Sequence, residues 1–212
     1  MKQYLPIIFL LAVLACNSPA PTPKMSGPQG STPTDQLNLP EITAVTADGM
    51  LQFADGTSRV IPHYGDPDYL IVYLARHCEK ATEPADNPSL SAQGQAQAER
   101  LGRVMDNAVL DKISSTNTRR TVQTAEVVKR WAGDPPIETF PAMAQSDWFA
   151  ETMTGGGGKR VFHVGHSNTI PILLNEFTGT KNWQNIPENE YRHFFIAITK
   201  GLGQTEVLHF RY

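Results

Sequence analysis

Five polar or reactive side chains in a row, Arg76-His77-Cys78-Glu79-Lys80, follow the apolar run YLIVYLA at 69–75. A run that is continuously apolar rather than alternating marks a strand covered on both faces, as in an α/β domain. In such sheets ligands gather at the carboxyl ends of the strands. Two further stretches have the same shape. Residues 115–126, STNTRRTVQTAE, follow a short apolar segment, and residues 161–171, VFHVGHSNTIP, run from an apolar segment into Gly165-His166 and then Ser167-Asn168, which can open a helix. Three strand ends thus offer Arg76, His77, Arg120 and His166. Two imidazoles and two guanidinium groups suit phosphoryl transfer, which needs a nucleophile in line and fixed positive charge for the three equatorial oxygens. A neutral imidazole can attack through one nitrogen while a backbone acceptor holds the other. Guanidinium groups grip oxyanions with planar, permanently charged forks that lysine does not imitate.

In order and spacing the three stretches resemble the histidine phosphatase superfamily, also called the phosphoglycerate mutase-like family. Its signature is an Arg-His-Gly-Glu-like tetrad, a later Ser/Thr-x-x-x-Arg-x-x-x-Thr-Ala segment and a Gly-His pair ahead of the last helix. Here these read Arg76-His77-Cys78-Glu79, then Thr116 to Arg120 with Thr124-Ala125, then Gly165-His166. The resemblance spans residues 69–212. It implies an α/β fold, a three-layer α/β/α sandwich with a mostly parallel mixed sheet. It also implies a phosphatase that hydrolyses phosphomonoesters or a related small phosphorylated substrate through a phosphohistidine on His77. Arg76, Arg120 and His166 would hold the phosphoryl oxygens, His166 at the mouth of a helix whose free N–H groups favour anions. Asn117 and Ser167 are further candidates for substrate oxygens, although capping or turn roles fit them equally well. No cofactor is implied, and no His, Cys, Asp or Glu cluster has the spacing of metal ligands. A mutase is disfavoured, because the chain lacks the length of the cofactor-dependent phosphoglycerate mutases and their cytosolic setting.

The other candidates near these motifs read as structural. Arg119 competes with Arg120, but the spacing to Thr124-Ala125 selects Arg120. His163 falls inside a strand as a packing residue, His63, His193 and His209 have no motif around them, and Cys78 fills a place where relatives usually carry Gly or Ala. Many family members also have an acidic proton donor, either between the second and third motifs or directly after the last His. Ser167 follows His166, so the second arrangement is absent. Glu151 is the preferred donor in the first location, Asp147 comes next, and Glu79 would orient the cradle from two residues beyond His77. Without a donor the substrate needs a good leaving group, as phosphohistidine has. The alternatives are therefore a phosphohistidine phosphatase or a catalytically weak phosphate-binding lipoprotein.

Composition bounds the setting. A chain of 212 residues, 40% hydrophobic and 18% charged, suits one globular domain with appendages, and a net charge of -3 gives no basic face for nucleic acid. Residues 1–15 pair Lys2 with the apolar run 7–15, too short to cross a bilayer, which takes about 20 residues, and shaped like an export signal. Val13-Leu14-Ala15-Cys16 resembles a lipobox, which implies lipidation of Cys16 and an extracytoplasmic protein anchored to a membrane, periplasmic or on the cell surface. Only Cys16 and Cys78 are present, so acylation of the first precludes an intrachain disulfide. Residues 16–40 form a Pro-rich tether reaching about 25 to 70 Å. Residues 41–66 predict a small β-hairpin appendage, with strands near 42–46, 50–54 and 58–61 turning at Asp48-Gly49 and Asp55-Gly56. In the catalytic domain at 67–212, helices are expected over 91–107, 118–131, 147–153 and 168–177. Strands at 111–115, 137–140, 160–164, 194–199 and 205–210 complete the sheet.

Overall fold

The computed structural model describes residues 39–212. The expected signal, Cys16 and the tether up to residue 38 lie outside the described residues. Three short strands come first, β1 (Ile42–Val45), β2 (Met50–Phe53) and β3 (Ser58–Val60). The order then runs β4 (Leu70–Arg76), α1 (Ala92–Val104), β5 (Lys112–Thr116), α2 (Arg119–Trp131), β6 (Ile137–Phe140), α3 (Gln145–Thr154), β7 (Arg160–Gly165), α4 (Thr169–Thr178), β8 (His193–Thr199) and β9 (Thr205–Arg211). The six-stranded sheet has the order β6-β5-β7-β4-β8-β9. β6, β5, β7 and β4 are parallel, and β8 and β9 close the far edge in antiparallel pairs. This is the mixed α/β/α sandwich expected from the sequence.

The register of β4 is set by burial on both faces. All seven of its residues are buried. Ile71, Tyr73 and Ala75 join one apolar cluster with Leu101 of α1, Met105 just past its end, and Ala125 and Val128 of α2. Leu70, Val72 and Leu74 join another with Trp148 and Phe149 of α3 and Leu173 and Phe177 of α4. Each leucine, isoleucine or valine side chain among these contributes about 1.5–3 kcal/mol on burial, and a slip of one residue would send every buried side chain of the strand to the opposite layer. The strand therefore delivers Arg76 and His77 to a fixed place.

The β1–β3 sheet is antiparallel, and its turns have Gly49 and Gly56 at φ of 81 and 82, the left-handed region that aspartate-glycine turns supply. Ile42, Val45, Leu51 and Ile61 belong to the same cluster as Ile71 and Tyr73. The segment expected as an appendage thus shares the main core, covering the flank of the α1 and α2 layer. Glu41 fastens it further, pairing with Arg100, Arg192 and Arg211.

Candidate active site

β4, β5 and β7 lie side by side at the centre of the sheet and run parallel, so their carboxyl ends open on one crevice. Beyond the end of β4 the ladder continues for one more bond, from the His77 N–H to the Gly165 carbonyl at 2.9 Å. That bond fixes the backbone of His77 beside the start of the turn carrying His166. The His77 ring is then oriented by its own chain: Nδ1 lies 2.8 Å from the Cys78 carbonyl, which can only accept, so Nδ1 carries the proton and Nε2 keeps its lone pair. Arg120, on the second residue of α2, donates from Nε to that Nε2 at 3.1 Å.

His166 faces His77 edge-on, with ring centroids 5.3 Å apart. Thr121 Oγ1 donates to backbone carbonyls, and Thr116 Oγ1 donates to Thr121 Oγ1 at 3.0 Å. Thr116 therefore receives the Nε2 proton of His166 at 2.8 Å. His166 Nδ1 is left toward the crevice, 3.4 Å from an Arg120 terminal nitrogen. Thr124, the threonine of the Thr-Ala pair, accepts the Cys78 N–H at 3.1 Å and donates to the Arg120 carbonyl at 2.9 Å. It ties the loop after His77 to the helix that carries Arg120. On the other side of that loop, α1 is capped by Ser91, whose Oγ accepts from the Gly94 N–H and donates to Glu79. Gly94 lies so close that an added Cβ would sit 1.9 Å from the Glu79 carbonyl oxygen. Glu79 is thus an anchor for α1 and is not among the residues that line the cleft.

The open cleft of about 360 Å³ at this end of the sheet is lined by His77, Arg120, His166, Lys80, Thr118, Ser167 and Glu188, with Ala142 and Met143 on its rim. Its cations depress one another. Burial first, then the charges of Arg76, His166 and Arg120, bring the His77 imidazole down to about 3, against the pull of the Cys78 carbonyl. Burial followed by Arg120 and Arg76 brings His166 down to about 4. Arg120 is lowered by burial and by Arg76. Both imidazoles are accordingly neutral at pH 7, and a positive field surrounds the His77 lone pair.

The remaining candidates divide. Arg76 is buried at the end of β4, its guanidinium held by the 187–190 loop and over the Tyr191 ring. Ser167 lines the cleft, but its hydroxyl is taken by Glu188 at 2.6 Å. Asn117 is exposed, gives its N–H to the Phe140 carbonyl and does not line the cleft. Arg119 is exposed and does not line the cleft, whereas Arg120 does. Cys78 is fully buried beside Ala98 and Val127, and burial pushes its thiol up to about 11, so it is packing rather than a nucleophile. His163 is buried against Trp148, with Nδ1 on Ser114. His193 and His209 stack on each other below Glu190.

The proton-donor expectation is corrected. Glu151 is exposed and lines a different cavity with Asp111, Lys112, Pro136 and Lys159, at the amino ends of β5, β6 and β7. The reason is the direction of α3: its first turn follows the rim residues Ala142 and Met143, and at 1.5 Å per residue Glu151 lies about 9 Å further along the axis, toward the opposite edge of the sheet. Asp147 is exposed in the first turn and is not among the cleft residues. Among the described residues, the carboxylate that does line the cleft is Glu188, in the irregular stretch before β8. No spacing in the sequence signals it.

No curated protein matches the chain in sequence. Among solved structures, the chain resembles the protein histidine phosphatase SixA complexed with tungstate (16% identity, 67% of this chain and 97% of that chain, TM-score 0.54). It also resembles mycobacterial hydrolase 1 (13%, 68% and 99%, TM-score 0.52) and the mycobacterial glucosyl-3-phosphoglycerate phosphatase (14%, 68% and 98%, TM-score 0.51). At these identities the likeness is one of fold. The sequence profile of the histidine phosphatase superfamily, branch 1, matches residues 72–149, the span that holds both His77 and Arg120. Residues 72–149 thus carry the pattern of the histidine phosphatase superfamily, branch 1, and the fold around them is phosphoglycerate mutase-like.

Proposed function

We propose that the protein is a phosphatase that hydrolyses phosphomonoesters or related phosphorylated substrates through a phosphohistidine on His77. The observation that carries this reading is the His77 ring. It is locked by Nδ1–H to the Cys78 carbonyl, and its neutral Nε2 is aimed into a crevice between Arg120 and His166. In the first step Nε2 forms a bond to phosphorus as the bond to the leaving group breaks. In the second, water attacks phosphorus, the N–P bond breaks, and inorganic phosphate leaves with His77 neutral again. Arg120 gives up its contact with the His77 lone pair to hold a phosphoryl oxygen, so the resting hydrogen bond is exchanged rather than lost. A bound dianion also relieves the cationic field that keeps His166 neutral, which favours its taking a proton at Nδ1 and donating to the same group.

Because kcat/KM reports the free enzyme, its acid limb should follow His77 and His166. The active form has both rings neutral, so activity is full above their values and falls as pH drops through about 4 and then about 3. The pH profile on an aryl phosphate, corrected for ionisation of the substrate, is expected to show no midpoint near the ordinary histidine value of 6.5. A midpoint there would contradict the buried, cation-flanked assignment.

The leaving group narrows the substrate. Glu151 is remote, and Glu188 is held below the usual carboxylate range by the Ser167 hydroxyl and Arg76, despite its partial burial. It is ionised at neutral pH and has no proton to give. Substrates whose leaving group departs without an acid, such as phosphohistidine or an aryl phosphate, are therefore favoured, and the structural likeness to a protein histidine phosphatase agrees. The same observation supports a second reading, a phosphate-binding protein with slow turnover. Vanadate binding with no trapped phosphoenzyme would select it.

For the setting, we propose export and lipidation at Cys16, supported by Lys2, the apolar run 7–15 and the Val-Leu-Ala-Cys ending. The full-length protein should fractionate with membranes and Cys16→Ala should move it to the soluble fraction. Equal fractionation of both would refute the anchor.

A further inference from the structure

Arg76 is described by the family signature as a phosphate-gripping residue, yet most of its donors are spoken for. Nη1 donates to the carbonyls of Pro187, Glu188 and Glu190 at 2.9, 3.1 and 2.8 Å. Nη2 donates to Glu188 Oε2 at 2.8 Å. Nε is buried and has no partner among the described residues. Nε and Nη2 form one edge of the guanidinium plane, the edge that receives an oxyanion side-on. Half of that edge is filled by a carboxylate oxygen, and the other half is an orphaned buried donor, an arrangement that costs free energy until an acceptor arrives. The second oxygen of the same carboxylate, Oε1, accepts the Ser167 hydroxyl at 2.6 Å. Glu188, which lines the cleft together with His77, Arg120 and His166, therefore links the Arg76 guanidinium to the Ser167 hydroxyl.

The backbone and the side chain of Glu188 are held differently. Its carbonyl and those of its neighbours are fixed by the buried Arg76, whereas its side chain is 73% exposed. The carboxylate can leave the cleft by turning about side-chain bonds while the 187–190 loop stays in place. We infer that Glu188 is an internal anion of the phosphoryl cradle, occupying the Arg76 Nη2 and Ser167 Oγ positions in the resting enzyme and displaced when a substrate phosphoryl group seats side-on against Arg76. The inference rests on the phosphatase reading given above. Its consequence is a built-in competitor: the apparent affinity for any phosphoryl ligand is lowered by the fraction of time the carboxylate holds the cradle, and the displaced carboxylate is left at the rim beside the leaving group.

A purely structural role for Glu188 predicts the opposite sign, since removing a residue that only positions Arg76 would weaken anion binding. Inorganic phosphate binding to the full-length protein, Glu188→Gln and Glu188→Ala at neutral pH separates the two. Glutamine keeps the side-chain size and an acceptor for Arg76 but removes the charge, and alanine vacates the position. Both variants are expected to bind phosphate about tenfold more tightly, with KM for an aryl phosphate falling in parallel and kcat changing much less. Unchanged or weaker binding in both variants would overturn the inference and leave the phosphatase reading standing. If neither the parent protein nor either variant bound phosphate, both would fall.

Discussion

Replacing His77 by alanine is expected to lower kcat on an aryl phosphate by at least about four orders of magnitude, because the variant has no atom that can form the covalent intermediate and keeps only the cradle. The ring is 3% exposed and makes two polar contacts, so part of the loss could come from local collapse. His77→Asn, which fills more of the space and can still donate to the Cys78 carbonyl, separates chemistry from packing. Equal inactivity of the two variants, with thermal unfolding of the asparagine protein close to that of the parent, is the expected pattern. Retained turnover in either variant would refute the nucleophile assignment.

Removing Arg120 is expected to cost about two to four orders of magnitude in kcat/KM, about 3 to 5 kcal/mol of transition-state stabilisation. Among the described residues its guanidinium contacts both imidazoles, at 3.1 and 3.4 Å, and on the proposed mechanism charge in the transition state would spread over oxygens held there. Arg120→Lys should recover little, because an ammonium cannot span the two rings with a planar fork. His166→Ala should fall in the same range. The two differ in a second readout: loss of Arg120 removes a charge that depresses His77 and His166, so the acid limb of kcat/KM moves to higher pH. Steady-state kinetics across pH on both variants measure this, and a loss of less than about tenfold for Arg120→Ala would contradict the cradle.

The sequence was most legible where chemistry and periodicity coincide. The run 69–75 reads as a strand buried on both faces because every residue is apolar, and the same strand ends in the only Arg-His pair that leads into a Glu. Thr124-Ala125 singles out Arg120 over Arg119 because the helix turns one of two adjacent arginines inward and the other to solvent, and Thr124 packs on the inward side. The hairpins at 42–61 were visible through their aspartate-glycine turns. What the chain did not disclose was the shared core beneath them, since burial of Ile42 and Leu51 depends on α1 and β4, far along the sequence.

Glu151 shows where such reading stops. Its position between two motifs is compatible with a donor role, but sequence distance does not say which end of α3 points at the crevice, and the helix carries Glu151 away from it. Ser167 was legible as a cleft residue and illegible as a partner of Glu188. Glu188 itself lies in an irregular segment with no periodicity, and its place is set by the carbonyls that a buried arginine gathers from 111 to 114 residues away. Long-range capture of that kind leaves no local pattern to read.

The most direct test is a single turnover of an aryl phosphate by the full-length protein, quenched in alkali, in which N-linked phosphate survives, followed by mapping of the phosphorylated peptide. An acid-labile phosphate on His77, formed and lost at rates that account for turnover and missing from His77→Asn, is the predicted result. Turnover with no phosphoenzyme, or with the phosphate on any other residue, would contradict it.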